Sequence, residues 1–174
     1  MAGRMKEITF VLAGVTFLCI LFYCVTHGGI WETLAITFGT IFYHFCMRLL
    51  IGLFYNITMK NHADYRKKCY QLNKWERALY KKLRVKKWKN KMPAYDEKIF
   101  DPQLHTWDEI AQAMCQSELV HKTIVVFSFL PLVTVLWFGA FPVFLITSIT
   151  AACCDMLFVI MQRYNRSRIL KMIK

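Results

Sequence analysis

The chain has 174 residues, 56% of them hydrophobic and 16% aromatic, and carries 23 Lys+Arg against 11 Asp+Glu. Its apolar residues form long blocks instead of amphipathic stripes, which excludes an ordinary soluble core, and the excess of cations indicates a membrane protein with a basic face. The fold expected is all-α and polytopic: one membrane domain over 1–174, with about four transmembrane helices and a basic amphipathic cytoplasmic helical segment.

The first block, Ile8 to Thr26, is 19 residues without a charge, close to the roughly 20 that a span requires. Arg4 and Lys6 precede it as they would in a signal peptide, but the apolar region of a signal peptide is usually about 7–15 residues. This block is longer and leads through "THGGI" into a second one, so it reads as a retained span over 8–26. The second span, 30–54, carries His44 and Arg48 within "FGTIFYHFCMRLLIGLFY", four residues apart and therefore on one helical face. Ionisable groups inside a bilayer are costly, and each is a site candidate by default.

Residues 56–118 follow as a polar segment. Between 60 and 98 there are 14 Lys+Arg and four acids, interleaved with Trp75, Tyr80, Trp88 and Tyr95. Leu72, Trp75, Leu79 and Leu83 recur at spacings of three and four, which predicts one apolar helical stripe among lysines. Such a helix lies on an anionic membrane surface or docks on the spans. No nucleic-acid motif accompanies the basic run, and none is expected as a partner. A turn is predicted at Asp101-Pro102 and a helix start at Thr106, with Asp108 and Glu109 in its first turn.

No charge occurs between Thr123 and Cys154, 32 residues that as one helix would measure about 48 Å, too long for one crossing. "WFGAFP" at 137–142 supplies a break, since Gly139 and Pro142 are turn residues, and spans of 119–138 and 141–161 result. The tail 163–174 adds five cations, while the short connections "THGG" and "FGAF" have none. The positive-inside rule then puts both termini and the 56–118 segment in the cytoplasm of a multi-pass cell-membrane protein. The seven cysteines show no CxxC pairing, so no metal is expected, and no cofactor motif occurs.

This topology puts His44, Arg48, Glu118, His121 and Asp155 at one depth, in the cytoplasmic half of the bilayer. Glu118 and His121 are three apart on one face and predict a general base, His121, oriented by Glu118, with His44 as the alternative base or a group that positions the acceptor. Arg48 and Arg163 are candidates to hold a phosphate or stabilise an oxyanion, and Asp155 joins the substrate set. The plainer alternatives are snorkelling for Arg48 and Lys122, a structural pairing of Asp155 with an arginine, and a positive anchor in "RYNRSR". There is no HxxxxD, GxSxG, P-loop or HExxH motif. A non-catalytic lipid-binding or transport protein, and a structural membrane partner, are the competing classes.

Three stretches carry a resemblance: "WERALYKKLRVKKWKNKMP" (75–93), "SELVHKTIVVFSFLP" (117–131) and "VIMQRYNRSRI" (159–169). They resemble the glycosyl-4,4′-diaponeurosporenoate acyltransferases, small integral membrane enzymes of carotenoid-glycoside biosynthesis, over roughly Lys74 to Ile169. The positions that match are Trp88-Lys89, Glu118 with His121, and Gln162, Arg163, Tyr164, Asn165, Arg166 and Arg168; Ser117 and Ser167 stand where the family often has alanine and proline. "YHFCMRLLIG" is outside the resemblance. The resemblance implies transfer of a fatty acyl chain to a hydroxyl of a membrane glycolipid. It adds Trp88, Lys89, Gln162, Tyr164, Asn165 and Arg166 to the candidate substrate-binding residues. An acidic donor, acyl-CoA or acyl-carrier protein, suits the basic face.

Overall fold

The computed structural model describes residues 2–92 and 98–173. Its regular elements are helical: α1 (Ala2–Thr26), α2 (Gly29–Met59), α3 (Lys74–Lys82), α4 (Val85–Trp88), α5 (Trp107–Phe127), α6 (Val135–Phe138) and α7 (Phe141–Ile169), with 3₁₀ turns at Lys68–Tyr70, Lys89–Lys91, Lys98–Phe100 and Leu130–Thr134. Four stretches are long and apolar enough to cross a membrane: Gly3–Thr26, Gly29–Met59, Trp107–Phe138 and Phe141–Ile169. The protein is an all-α polytopic membrane protein. Large apolar side chains such as Phe10, Ile30, Leu136 and Trp137 are exposed along these helices, as they must be where the surrounding solvent is hydrocarbon.

The third stretch passes from α5 through the Leu130–Thr134 turn to α6, because Pro131 has no N–H to continue the α-helical ladder. Gly139 then takes a left-handed conformation, φ +63°, and its N–H bonds back to the Val135 carbonyl at 2.9 Å. Pro142 falls in the first turn of α7, where a missing donor costs nothing. The break predicted at "WFGAFP" is therefore present.

The chain forms two compact units, one of residues 52–123 with 154–174 and one of 2–51 with 124–153. In the first, α5 turns Ile110, Ala111, Met114 and Cys115 to one side, and Tyr65, Tyr70 and Ile169 pack on that face. Thr106 and Glu109 form a reciprocal cap at the start of α5: the Thr106 N–H donates to Glu109 Oε2 at 2.8 Å and the Glu109 N–H to Thr106 Oγ1 at 3.3 Å. The Tyr65 hydroxyl donates to Asp108, and the Tyr55 and Thr123 hydroxyls share a hydrogen bond of 2.9 Å.

Helix α3 has an unusual distribution. It buries Glu76 and Tyr80, one turn apart, and leaves Trp75 64% exposed with Leu79 and Leu83 beside it on the outer side. Arg84, at φ +51°, ends the helix in a conformation that a non-glycine residue rarely adopts. The predicted stripe is present but faces outward. Pro93 and Tyr95, read as part of that segment, lie outside the described residues.

In the second unit Phe22 and Trp31 stack with centroids 4.6 Å apart, and the Tyr43 hydroxyl donates to the Phe127 carbonyl at 2.9 Å. Ser148, Ala151 and Ala152 are buried on α7, small residues of the kind that let membrane helices approach closely.

Candidate active site

Helix α5 carries His121 and α7 carries Asp155, both in the 52–123/154–174 unit. The Nδ1 of His121 lies 2.8 Å from Asp155 Oδ1. Asp155 is 2% exposed, while the histidine side chain keeps 21% of its surface open. Its ring stacks on Phe158 at 4.7 Å with an interplanar angle of 7°, which sets its plane. A carboxylate on Nδ1 favours the tautomer whose Nε2 carries the lone pair, the form of imidazole that accepts a proton.

Glu118, one turn earlier on α5, is directed elsewhere. It is wholly buried and receives Arg163 Nη1 at 2.6 Å, Arg166 Nη2, and Lys122 from the next turn of its own helix. Arg163 also binds Glu76 at 3.0 Å, the Cys69 carbonyl at 2.9 Å and the Gln71 carbonyl at 3.0 Å, and Arg166 binds the Tyr70 carbonyl at 2.6 Å. Two guanidinium groups thus clasp three successive carbonyls of residues 69–71 and two carboxylates from other elements. The Arg166 guanidinium lies 5.1 Å from the centre of the Tyr70 ring. Burial pushes that phenol up to about 12, so it stays neutral.

The sequence paired His121 with Glu118, and the structure pairs it with Asp155. The physical reason is the buried cations: Glu118 compensates Arg163 and Arg166, which without it would be uncompensated charges in the interior. Within "QRYNR", Gln162, Arg163 and Arg166 are buried, and the two arginines are occupied by the protein itself. Tyr164 and Asn165 meet Lys89, whose Nζ donates to Asn165 Oδ1 at 2.6 Å and lies 5.6 Å from the Tyr164 ring centre. Trp88 donates its indole N–H to the Leu83 carbonyl at 3.1 Å. His44 and Arg48 belong to the 2–51/124–153 unit: His44 is buried beside the edge of Tyr43, ring centroids 5.4 Å apart, and Arg48 Nη2 approaches the Ala151 carbonyl at 3.4 Å. Glu76 was not among the residues singled out from the sequence, and only its place at the start of a helix, accepting from the Asn73 N–H at 2.8 Å, marks it locally. Among the described residues no cluster of His, Cys, Asp and Glu could hold a metal ion.

The helices define a polytopic membrane protein, and within it a histidine is held by a buried carboxylate. The glycosyl-4,4′-diaponeurosporenoate acyltransferase family model matches residues 66–174, more than half of the chain, and the chain belongs to that family. It is an acyltransferase and works on an acyl donor and an acceptor. No curated protein and no solved structure matches it.

Proposed function

We propose that this enzyme moves a fatty acyl chain from an acyl-CoA or acyl-carrier-protein thioester to a hydroxyl of a membrane glycolipid or a similar amphiphilic acceptor. The observation that carries the reading is the His121–Asp155 contact at 2.8 Å. His121 Nε2 takes the hydroxyl proton as the acceptor oxygen attacks the thioester carbonyl. The new C–O bond forms, the C–S bond breaks, and the proton passes to the leaving thiolate. Asp155 steadies the imidazolium between those events. Glu118 with Arg163 and Arg166 supports the site from behind by fixing α5, α7 and residues 69–71 to one another. The test is lipid mass spectrometry of membranes with and without the gene: a species heavier by one acyl group should disappear with the gene, and unchanged lipid profiles would reject the acceptor class.

The enzyme is proposed to sit in the cell membrane with four spans, both termini and the 56–118 segment in the cytoplasm, and its pocket in the inner leaflet. Single cysteines at positions 28 and 140 should react with an impermeant reagent from outside, and one at position 90 only after lysis. Labelling of position 90 in intact cells would reverse the orientation. The outward Trp75 and Leu79 of α3, with Leu83 just after it, support a surface-lying helix. Brominated lipid is expected to quench Trp75, measured as the fluorescence lost in its Trp75→Phe variant; no difference between the two would place that face in water.

A further inference from the structure

A groove of about 340 Å³ runs between α3 and the last turns of α7, within the 52–123/154–174 unit. Its volume falls in the range of about 300–1,000 Å³ typical of small-molecule sites and exceeds what a lone ion needs. Arg77 lines one side, Arg168 and Lys171 the other, with Tyr80, Tyr164 and Leu72 between them and no carboxylate in the lining. Among the described residues none of the three cations forms an ion pair, whereas Arg163 and Arg166 nearby on α7 are both paired with carboxylates. Glu76, the acid on α3, is turned away to Arg163. Among the described residues, therefore, three cations without a carboxylate partner converge on one concave space.

Two further observations agree. Burial raises the Tyr80 phenol above its usual range, which keeps its O–H available as a neutral donor. Lys89, over the Tyr164 ring, is held below the usual lysine range, first by burial and then by the charge of Arg168. Among the described residues no carboxylate lines the groove to offset that charge.

We propose that this groove is a phosphate site, and that it takes the phosphate-bearing end of the acyl carrier. Arg77, Arg168 and Lys171 would hold the anion by charge-assisted hydrogen bonds, with Tyr80 donating a neutral one. The word carrier rests on the acyl-transfer reading above; the phosphate chemistry does not. The same phosphate ester could belong to a soluble nucleotide carrier or to a phospholipid headgroup, and the experiment separates the two.

The full chain is placed in phosphatidylcholine nanodiscs and titrated by calorimetry with coenzyme A and with pantetheine, which lacks phosphate. Phosphatidic acid doped into the discs is scored in parallel by native mass spectrometry. Wild type is expected to bind coenzyme A at least about tenfold more tightly than pantetheine, and the combined Arg77→Gln, Arg168→Gln, Lys171→Gln variant to lose at least about tenfold of that affinity. The charge-matched variant Lys60→Gln, Lys67→Gln, Lys68→Gln, at exposed positions off the groove, should bind as wild type. If retention of phosphatidic acid, and not coenzyme A binding, depends on the three groove cations, the phosphate site stands with a lipid headgroup as its ligand. Wild type that binds neither probe, a groove variant equal to wild type for both, or an equal loss in the charge-matched control would overturn the proposal. Because no turnover is measured, binding that tracks the groove cations in an enzyme yielding no acylated lipid would leave the groove in place and reject the acceptor reading alone.

Discussion

His121→Gly in purified, folded enzyme is expected to lower acyl transfer by about 10²–10⁴-fold, the range that a positioned general base contributes, while donor and acceptor binding stay near wild type. Added imidazole should restore part of the rate, since the cavity left beside Phe158 and Asp155 fits the lost ring. Asp155→Asn keeps the shape but removes the charge that favours the Nε2 lone pair, so kcat should fall with little change in the acceptor KM. It acts through His121, and imidazole should not rescue it. Near-wild-type turnover of His121→Gly would transfer the base role to His44, and full activity in both histidine variants would remove base catalysis by either histidine.

Glu118→Ala is expected to fail differently, in the fold before the chemistry. Removing one member of a buried ion cluster leaves its partners uncompensated and costs about 3–5 kcal/mol, a large share of the roughly 5–15 kcal/mol that holds a typical domain together. Arg163 and Arg166, both buried, would each lose a carboxylate, and the variant should melt early or aggregate on extraction. Thermal melting followed by size-exclusion fluorescence would measure this, with Glu118→Gln as the milder case because the amide oxygen can still accept. A Glu118→Gln enzyme that melts like wild type yet has lost turnover would contradict the structural role and return Glu118 to the catalytic role that its spacing from His121 suggested.

The contrast between these residues shows what the sequence could and could not carry. The long apolar helices were legible because an uncharged block of span length is at home only where its solvent is hydrocarbon, and Gly139 with Pro142 marked the break because each has a backbone property no other residue shares. The candidate site was legible as residue types, since His121 and Asp155 stand out as ionisable groups in or beside long apolar stretches. Its pairings were not. Spacings of three and four report neighbours on one helix, and they favoured Glu118 for His121; the observed partner is 34 residues away on α7, and nothing in a one-dimensional pattern reports how two helices are rotated toward each other. Glu76 with Arg163 is further apart still, 87 residues. Arg84 was invisible for another reason, since a left-handed arginine is imposed by its surroundings and has no propensity of its own to announce it.

The clasp around Glu118 also sets an order of events during synthesis. Glu118 leaves the ribosome long before Arg163 and Arg166 exist, so a growing chain holds a carboxylate at a helix entering the membrane with its two strongest partners missing. Lys122, one turn on, is its first available counter-charge, and in the finished protein the two still touch although the lysine is half exposed. Only when α7 arrives do residues 69–71, synthesised some ninety positions earlier, acquire the donors for their carbonyls. Residues 69–71 and the last helix therefore complete their contacts together, and a chain halted before residue 166 lacks the Arg166 donors to Tyr70 and Glu118.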